Sequence, residues 1–257
     1  MLQVKKSFWG RRPGFDTGDL LHVGVNVGFS LVLGAMVLIW QLTPLAIALV
    51  LLSKWRTLAV QPRFWITNIK ANLVDIVVGV SSVGLMHQSK ESTVAYVWIG
   101  LYAIWLLLIK PRSSSLWISI QAITAQALGL AMLFGSTDLV KQSVLVCALS
   151  WVIAWAAARH YFSNYEEPHY RALSLLWGFI TLQTVWYALH WVQYFSIGGL
   201  LIASVTIFIT IISLTLGSIY HAYKNDKLTK NLIIENTVLS LISVIALLIS
   251  SGWKPLL

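Results

Sequence analysis

The sequence predicts an all-α polytopic transmembrane bundle of about nine membrane helices, with its N-terminus in the cytoplasm, on three observations. Apolar residues fill 58% of the 257 positions and charged residues only 11%, far from the roughly 45–50% and 25% of soluble domains. The apolar residues gather into runs near the ~20 residues that cross a ~30 Å hydrocarbon core. Lysines and arginines collect at alternate connections, as the positive-inside rule requires. No polar stretch is long enough to build a separate soluble domain, so residues 1–257 read as a single integral membrane domain.

The expected spans are 20–40, 42–58, 64–86, 93–109, 115–134, 139–158, 170–195, 198–221 and 232–251. The first follows Lys5, Lys6, Arg11 and Arg12 and could be mistaken for a signal peptide. It is longer than a signal core and lacks a small-residue cleavage site, so it reads as a retained helix. The second has a clean apolar core only from Leu45 to Leu52, behind Pro44 at a helix-start position. It is a short span or a re-entrant segment, the latter leaving eight full helices. The sixth holds the lone cysteine, Cys147, which excludes a disulfide framework and a cysteine zinc site.

Charge sets the orientation. Lys90, Lys141 and Lys254 fall on the outer side and Lys70 lies within span three near its inner end. The other fourteen of the 18 lysines and arginines fall on the cytoplasmic side. Lys70 is expected to snorkel to the headgroups. The net charge of +9 then reads as a topology signal and a set of contacts to anionic lipid, with no nucleic-acid motif beside it. Trp40, Trp55, Trp65, Trp117 and Trp191 stand near span ends, where an interfacial aromatic belt forms. Trp98, Trp105, Trp151, Trp155, Trp177 and Trp186 lie deeper.

Span three carries the most chemistry. Asn68, Asn72 and Asp75 recur at i, i+4 and i+7 and share one helix face. Asp75 falls near mid-depth, where a carboxylate is costly unless paired, hydrated or protonated. One reading is a proton- or cation-linked site with the asparagines as neutral ligands; the other is a buried carboxylate holding helices together. Further polar stripes are His22, Asn26 and Ser30 in span one, and Gln183, Tyr187, His190 and Tyr194 in span seven. Thr206, Thr210 and Ser213 in span eight and Asn236, Ser240 and Ser243 in span nine complete the set. Such stripes are helix–helix glue unless several converge on one cavity. His22, Asn26, Gln183, Tyr187 and His190 join the span-three residues as candidate ligands for a small solute or ion.

Glu166-Glu167-Pro168-His169-Tyr170-Arg171 resembles the EExxxR element of the intramembrane CAAX-protease and bacteriocin-processing family. His221 to Asn225 resembles its HxxxN element, and Trp186 to His190 gives WxxxH for FxxxH. The resemblance implies glutamates that activate water, with histidines and an asparagine at the oxyanion. Against it, Glu166 precedes a helix on which His190 lies about 36 Å away at ~1.5 Å per residue. His160, Glu166, Glu167, His169 and His221 all fall on the cytoplasmic side and form a candidate metal set. The alternative is a solvated loop with its glutamates at a helix start. HExxH, P-loop and GxGxxG motifs are absent, as is a lysine in the last helix for a retinal Schiff base, so no cofactor is expected.

The stretch SKWRTLAVQPRFWITNIKANLVDIVVGVS is similar to uncharacterised multi-pass proteins of Saccharibacteria-type candidate-phyla bacteria, which implies a bacterial inner (plasma) membrane and no particular activity. Three function classes follow. The first is a small-solute or ion transporter, proton-linked through Asp75. The second is a structural or accessory subunit binding lipid or a membrane-protein partner, another copy of itself included. The third is a membrane-embedded metalloenzyme built on the His/Glu set.

Overall fold

Helix α1 (Thr17–Leu38) leads into a short α2 (Thr43–Leu52), followed by α3 (Trp65–Gln88) and α4 (Ser92–Ile104). After them come α5 (Ser115–Gly135), a single-turn α6 (Thr137–Val140), α7 (Ser143–Asn164) and α8 (Tyr170–Ala188). Strands β1 (Tyr194–Ile197) and β2 (Leu200–Ala203) precede α9 (Ser204–Lys224) and α10 (Lys230–Ser250). The structure, a computed structural model, describes residues 17–55, 59–89, 91–190, 193–197 and 199–250. Lys5, Lys6, Arg11, Arg12, Arg56, Lys90, Trp191 and Lys254 lie outside these residues.

Among the described residues, seven helical segments are long and apolar enough to cross a membrane: Leu20–Leu38, Pro62–Gln88, Ser92–Ile109, Ser115–Gly135, Ser143–Asn164, Ser204–Lys224 and Lys230–Ile249. Two of the nine expected spans, the second and the seventh, are not among these, and the eighth begins only at Ser204. The second is helical only over the ten residues of α2, about 15 Å at ~1.5 Å per residue and thus half a hydrocarbon core. The seventh ends at Ala188, because residues 194–203 pair as an antiparallel hairpin with Tyr194 opposite Ala203 and Ile197 opposite Leu200. Gly199 turns the hairpin at φ 76°, a left-handed conformation that glycine adopts without steric cost. Ser204 N–H donates to the Gln193 carbonyl and closes its open end, while buried Leu200 and Ala203 seat it in the core.

Three other left-handed residues stop helices. Gln41, Glu166 and Asp226 have φ near +50° and follow α1, α7 and α9. After Glu166 and Asp226 the chain folds back on the preceding turn, Glu167 N–H donating to Phe162 O and Lys227 N–H to Ala222 O, as in a Schellman cap; after Gln41, Leu42 N–H reaches one residue further back, to Met36 O.

Side-chain bridges fix which helix ends lie together. Thr43 Oγ1 meets His87 Nδ1 at 3.0 Å, and Gln88 donates to Met132 O. The start of α2 and the ends of α3 and α5 therefore share one end of the bundle. At the other end, Gln121 donates to Ile109 O and Arg112 O and meets His160 Nε2 at 2.9 Å. Among the described residues that second end holds Lys54, Arg63, Lys110, Arg112, Arg159, Arg171, Lys224, Lys227 and Lys230, against Lys141 at the first; we call it the basic end.

The interior forms two main apolar clusters. One joins α1 to α4 through Leu33, Val50, Val78, Met86 and Tyr102; the other joins α5 to α9 through Leu130, Phe134, Val146, Val185 and Ile209. Small residues set the close crossings. A Cβ at Gly178 would lie 3.2 Å from the Trp151 carbonyl oxygen, so α7 and α8 touch almost backbone to backbone, as lipid-embedded helices do at small side chains. Helix α10 packs on α9, and its other sides stay exposed, with Leu239 at 65% and Ile249 at 72%.

Candidate functional site

Asp75 is the eleventh of the 24 residues of α3 and is buried. Its Oδ2 is shared by two ammonium groups: Lys54 Nζ, in direct contact, and Lys110 Nζ at 2.9 Å. Its Oδ1 accepts the indole N–H of Trp105 at 3.0 Å. One carboxylate thus lies among two basic side chains and a neutral donor, and both of its oxygens are engaged.

Local backbone geometry brings these donors in. Helix α2 ends at Leu52, and in the tighter turn after it Lys54 N–H donates to Leu51 O, which sets the Lys54 side chain beside Asp75 of α3. Beyond α4, residues Trp105–Ile109 form a wide turn in which Lys110 N–H donates to Trp105 O at 2.9 Å. In a regular α-helix, residues five apart point roughly 140° away from each other at ~3.6 residues per turn. The i→i+5 bond of a π-turn stacks them instead. Trp105 and Lys110 thereby reach the same carboxylate.

The other candidate ligands do not converge there. Asn72 turns back to its own helix, donating to Asn68 O at 2.9 Å, and Asn68 is half-buried. Asn26 donates to His22 O and stands 3.2 Å from His22 Nε2, with His22 exposed. Gln183 and Tyr187 are exposed on α8, and His190, exposed in the turn just past its end, donates from Nδ1 back to Trp186 O.

The candidate metal set is dispersed among other partners, and no three His, Cys, Asp or Glu among the described residues stand together as a metal group. His160 bonds Gln121. His221 Nδ1 meets the Tyr165 hydroxyl at 2.5 Å. Glu167 Oε2 accepts from Tyr220 Oη at 2.5 Å and pairs with Lys224 Nζ at 2.6 Å. Those two bonds, that of Lys224 first, hold the Glu167 carboxyl below its usual range. Glu166 and His169 flank this group in the turn before α8. His190 sits at the opposite end of α8 from Glu166 and Glu167, so the protease-like elements are divided between the two ends of the bundle.

A second polar centre lies between α5, α8 and α9. Gln126 donates from Nε2 to Ser213 Oγ at 2.7 Å and accepts at Oε1 from Trp177 Nε1 at 2.9 Å. Sequence reading had Ser213 and Trp177 as separate features and passed over Gln126. It also left Asp75 without Lys54, Lys110 and Trp105; the available signal was one acidic residue at depth beside two spans that each end at a lysine. Compared with protein-family models, curated proteins and solved structures, the chain matches none of them.

Proposed function

We propose that this chain is a structural or accessory subunit of a bacterial inner (plasma) membrane, with the basic end and N-terminus cytoplasmic, that engages lipid or a membrane-protein partner. The observation that carries this reading is the occupation of Asp75 by Lys54, Lys110 and Trp105. The three donors come from the segments flanking α3, so the carboxylate acts as a clasp across α2, α3 and α4. A carrier using Asp75 for a proton or cation would have to break this clasp in every cycle. It would also load its cargo beside two basic side chains. Neither the α1 stripe, whose buried Ser30 bonds the Ile99 carbonyl, nor the exposed α8 stripe offers a second half of such a site, and the exposed sides of α10 offer a broad apolar surface instead. The cytoplasmic placement of the basic end follows from the positive-inside rule, and the inner-membrane location from the resemblance carried by residues 53–81.

The test is solvent access along the α3 stripe with the clasp left intact. In a Cys147→Ser background, single cysteines at Asn72 and Ser82 are challenged in sealed vesicles of known orientation with a membrane-impermeant maleimide from each side. Protection of both from both sides, in folded protein, is the expected result. Labelling of Ser82→Cys from the basic side would reveal a hydrated path past Asp75 and restore the carrier reading.

A further inference from the structure

A cavity of about 390 Å³ lies between α5, α7, α8 and α9 on the basic half of the bundle, within the roughly 300–1,000 Å³ of small-molecule sites. A tyrosine's length separates α7 from α9 here, because Tyr161 Oη reaches across to the Gly217 carbonyl at 2.7 Å. On the α7 side the wall is cut back to Ala157 and Ala158; on the α9 side a Cβ at Gly217 would meet nothing closer than 3.8 Å.

The chemistry of the wall is uniform. The polar groups of Gln126, Ser213, Trp177 and Tyr161 bond one another or backbone, which leaves an apolar surface for an occupant. The cavity opens beside Leu216, Tyr223 and Leu228, which are 49%, 60% and 38% exposed, so its mouth faces the medium around α9. Around a membrane helix that medium is hydrocarbon, and an apolar void beside it forfeits dispersion contacts that a chain from the bilayer supplies. At the basic end of the mouth, exposed Lys227 and Lys230 flank Leu228. Lys224 is already paired with Glu167, and Asp226 is the carboxylate beside them.

We infer that this cavity holds one acyl chain of an anionic membrane lipid, whose phosphate lies at Lys227 and Lys230. The site is separate from the Asp75 clasp and stands or falls independently of it. Buried Ala122 and Ala157 floor the chamber, and the chain enters past Leu216 toward Gln126. The lipid thereby becomes a wedge between α7 and α9, replacing direct helix–helix packing at that level.

The experiment uses the full chain in phosphatidylcholine nanodiscs doped with a phosphatidylglycerol that carries a diazirine on one acyl chain. After irradiation, adducts are mapped by peptide mass spectrometry. They are expected to concentrate on residues 157–162 and 213–219. Ala158→Trp, which fills the chamber, should reduce them at least fivefold while adducts on α10 stay unchanged. Gly217→Leu does the same from the other wall and carries the test should Ala158→Trp not fold. The Lys227→Gln/Lys230→Gln variant should lower cavity adducts at least threefold, and a diazirine phosphatidylcholine should label the cavity equally less. Adducts spread evenly over the exposed faces of α8 and α10, or a cavity signal that neither filling variant reduces, would overturn the proposal. Equal labelling by the two lipids would overturn its anionic headgroup.

Discussion

Replacing Asp75 by Asn removes the one anion between two ammonium groups and leaves the carboxamide oxygen for Trp105. Lys54 is the group that suffers. Its side chain is 12% exposed, whereas that of Lys110 is 41% exposed and can swing into the headgroup region. Breaking a buried pair from one side costs about 3–5 kcal/mol, and the escape of Lys110 places the expected loss near the lower figure. At roughly 2–4 °C per kcal/mol for a chain of this size, Asp75→Asn should melt about 6–12 °C below the parent. The protein supplies its own reporter: Cys147 is the single cysteine and is 5% exposed, so a thiol dye that fluoresces on coupling follows unfolding in detergent. Removing the stranded charges along with the anion, in Asp75→Asn/Lys54→Met/Lys110→Met, should recover most of the loss. A single variant melting within about 2 °C of the parent, under 1 kcal/mol on the same scale, would refute the clasp, as would a triple variant less stable than the single.

Four further outcomes are expected. Lys54→Met should lower the melting temperature more than Lys110→Met, because the second ammonium is the more exposed; equal effects would count against the geometry. Gly79→Ala forces a methyl to within 2.7 Å of Val50 Cγ1 and 3.0 Å of Tyr102 Oη, and should cost about 1–3 kcal/mol by overpacking in the same thiol assay. Tyr161→Phe deletes the bond to Gly217 O and should cost about 1 kcal/mol, read again by Cys147 labelling. Glu167 has a folded pKa held below the ordinary ~4.3 of a glutamate, so its stabilisation is present above that value and is lost as pH falls through the lower folded one. The melting temperature should therefore drop at acid pH by more in the parent than in Glu167→Gln, and parallel curves would deny the Lys224 pairing.

Much of this architecture is legible in the residues because the bilayer imposes a simple rule on each span. Hydropathy and length locate the seven long helices, and the face shared by Asn72, Asp75, Gly79 and Ser82 does turn inward, with the last three buried. Hydropathy fails where an apolar segment need not be a helix. Residues 194–203 are as apolar as their neighbours, and only the glycine pair at 198–199 distinguishes a hairpin from a helix end. Length was legible at the second span, where the apolar core stops at Leu52 and the helix stops with it. The partners of Asp75 were beyond reach for a different reason. Lys54 and Lys110 look like ordinary end-of-span cations, and their inward course depends on a turn after α2 and a wide turn after α4 that carry no composition signal. Gln126 was missed because one glutamine in a 21-residue apolar helix breaks no pattern.

The position of the clasp residues along the chain has a bearing on how the protein is made. Lys54 and Asp75 leave the ribosome early, but Lys110 and Trp105 follow only after the whole of α4. Until then a ten-residue helix, too short to hold itself across the bilayer, is held to α3 by apolar packing and a single ion pair. The end of α4 is therefore the latch that completes the first half of the molecule. Nascent chains truncated before Trp105 should leave α2 loosely inserted, and chains extended past Lys110 should lock it.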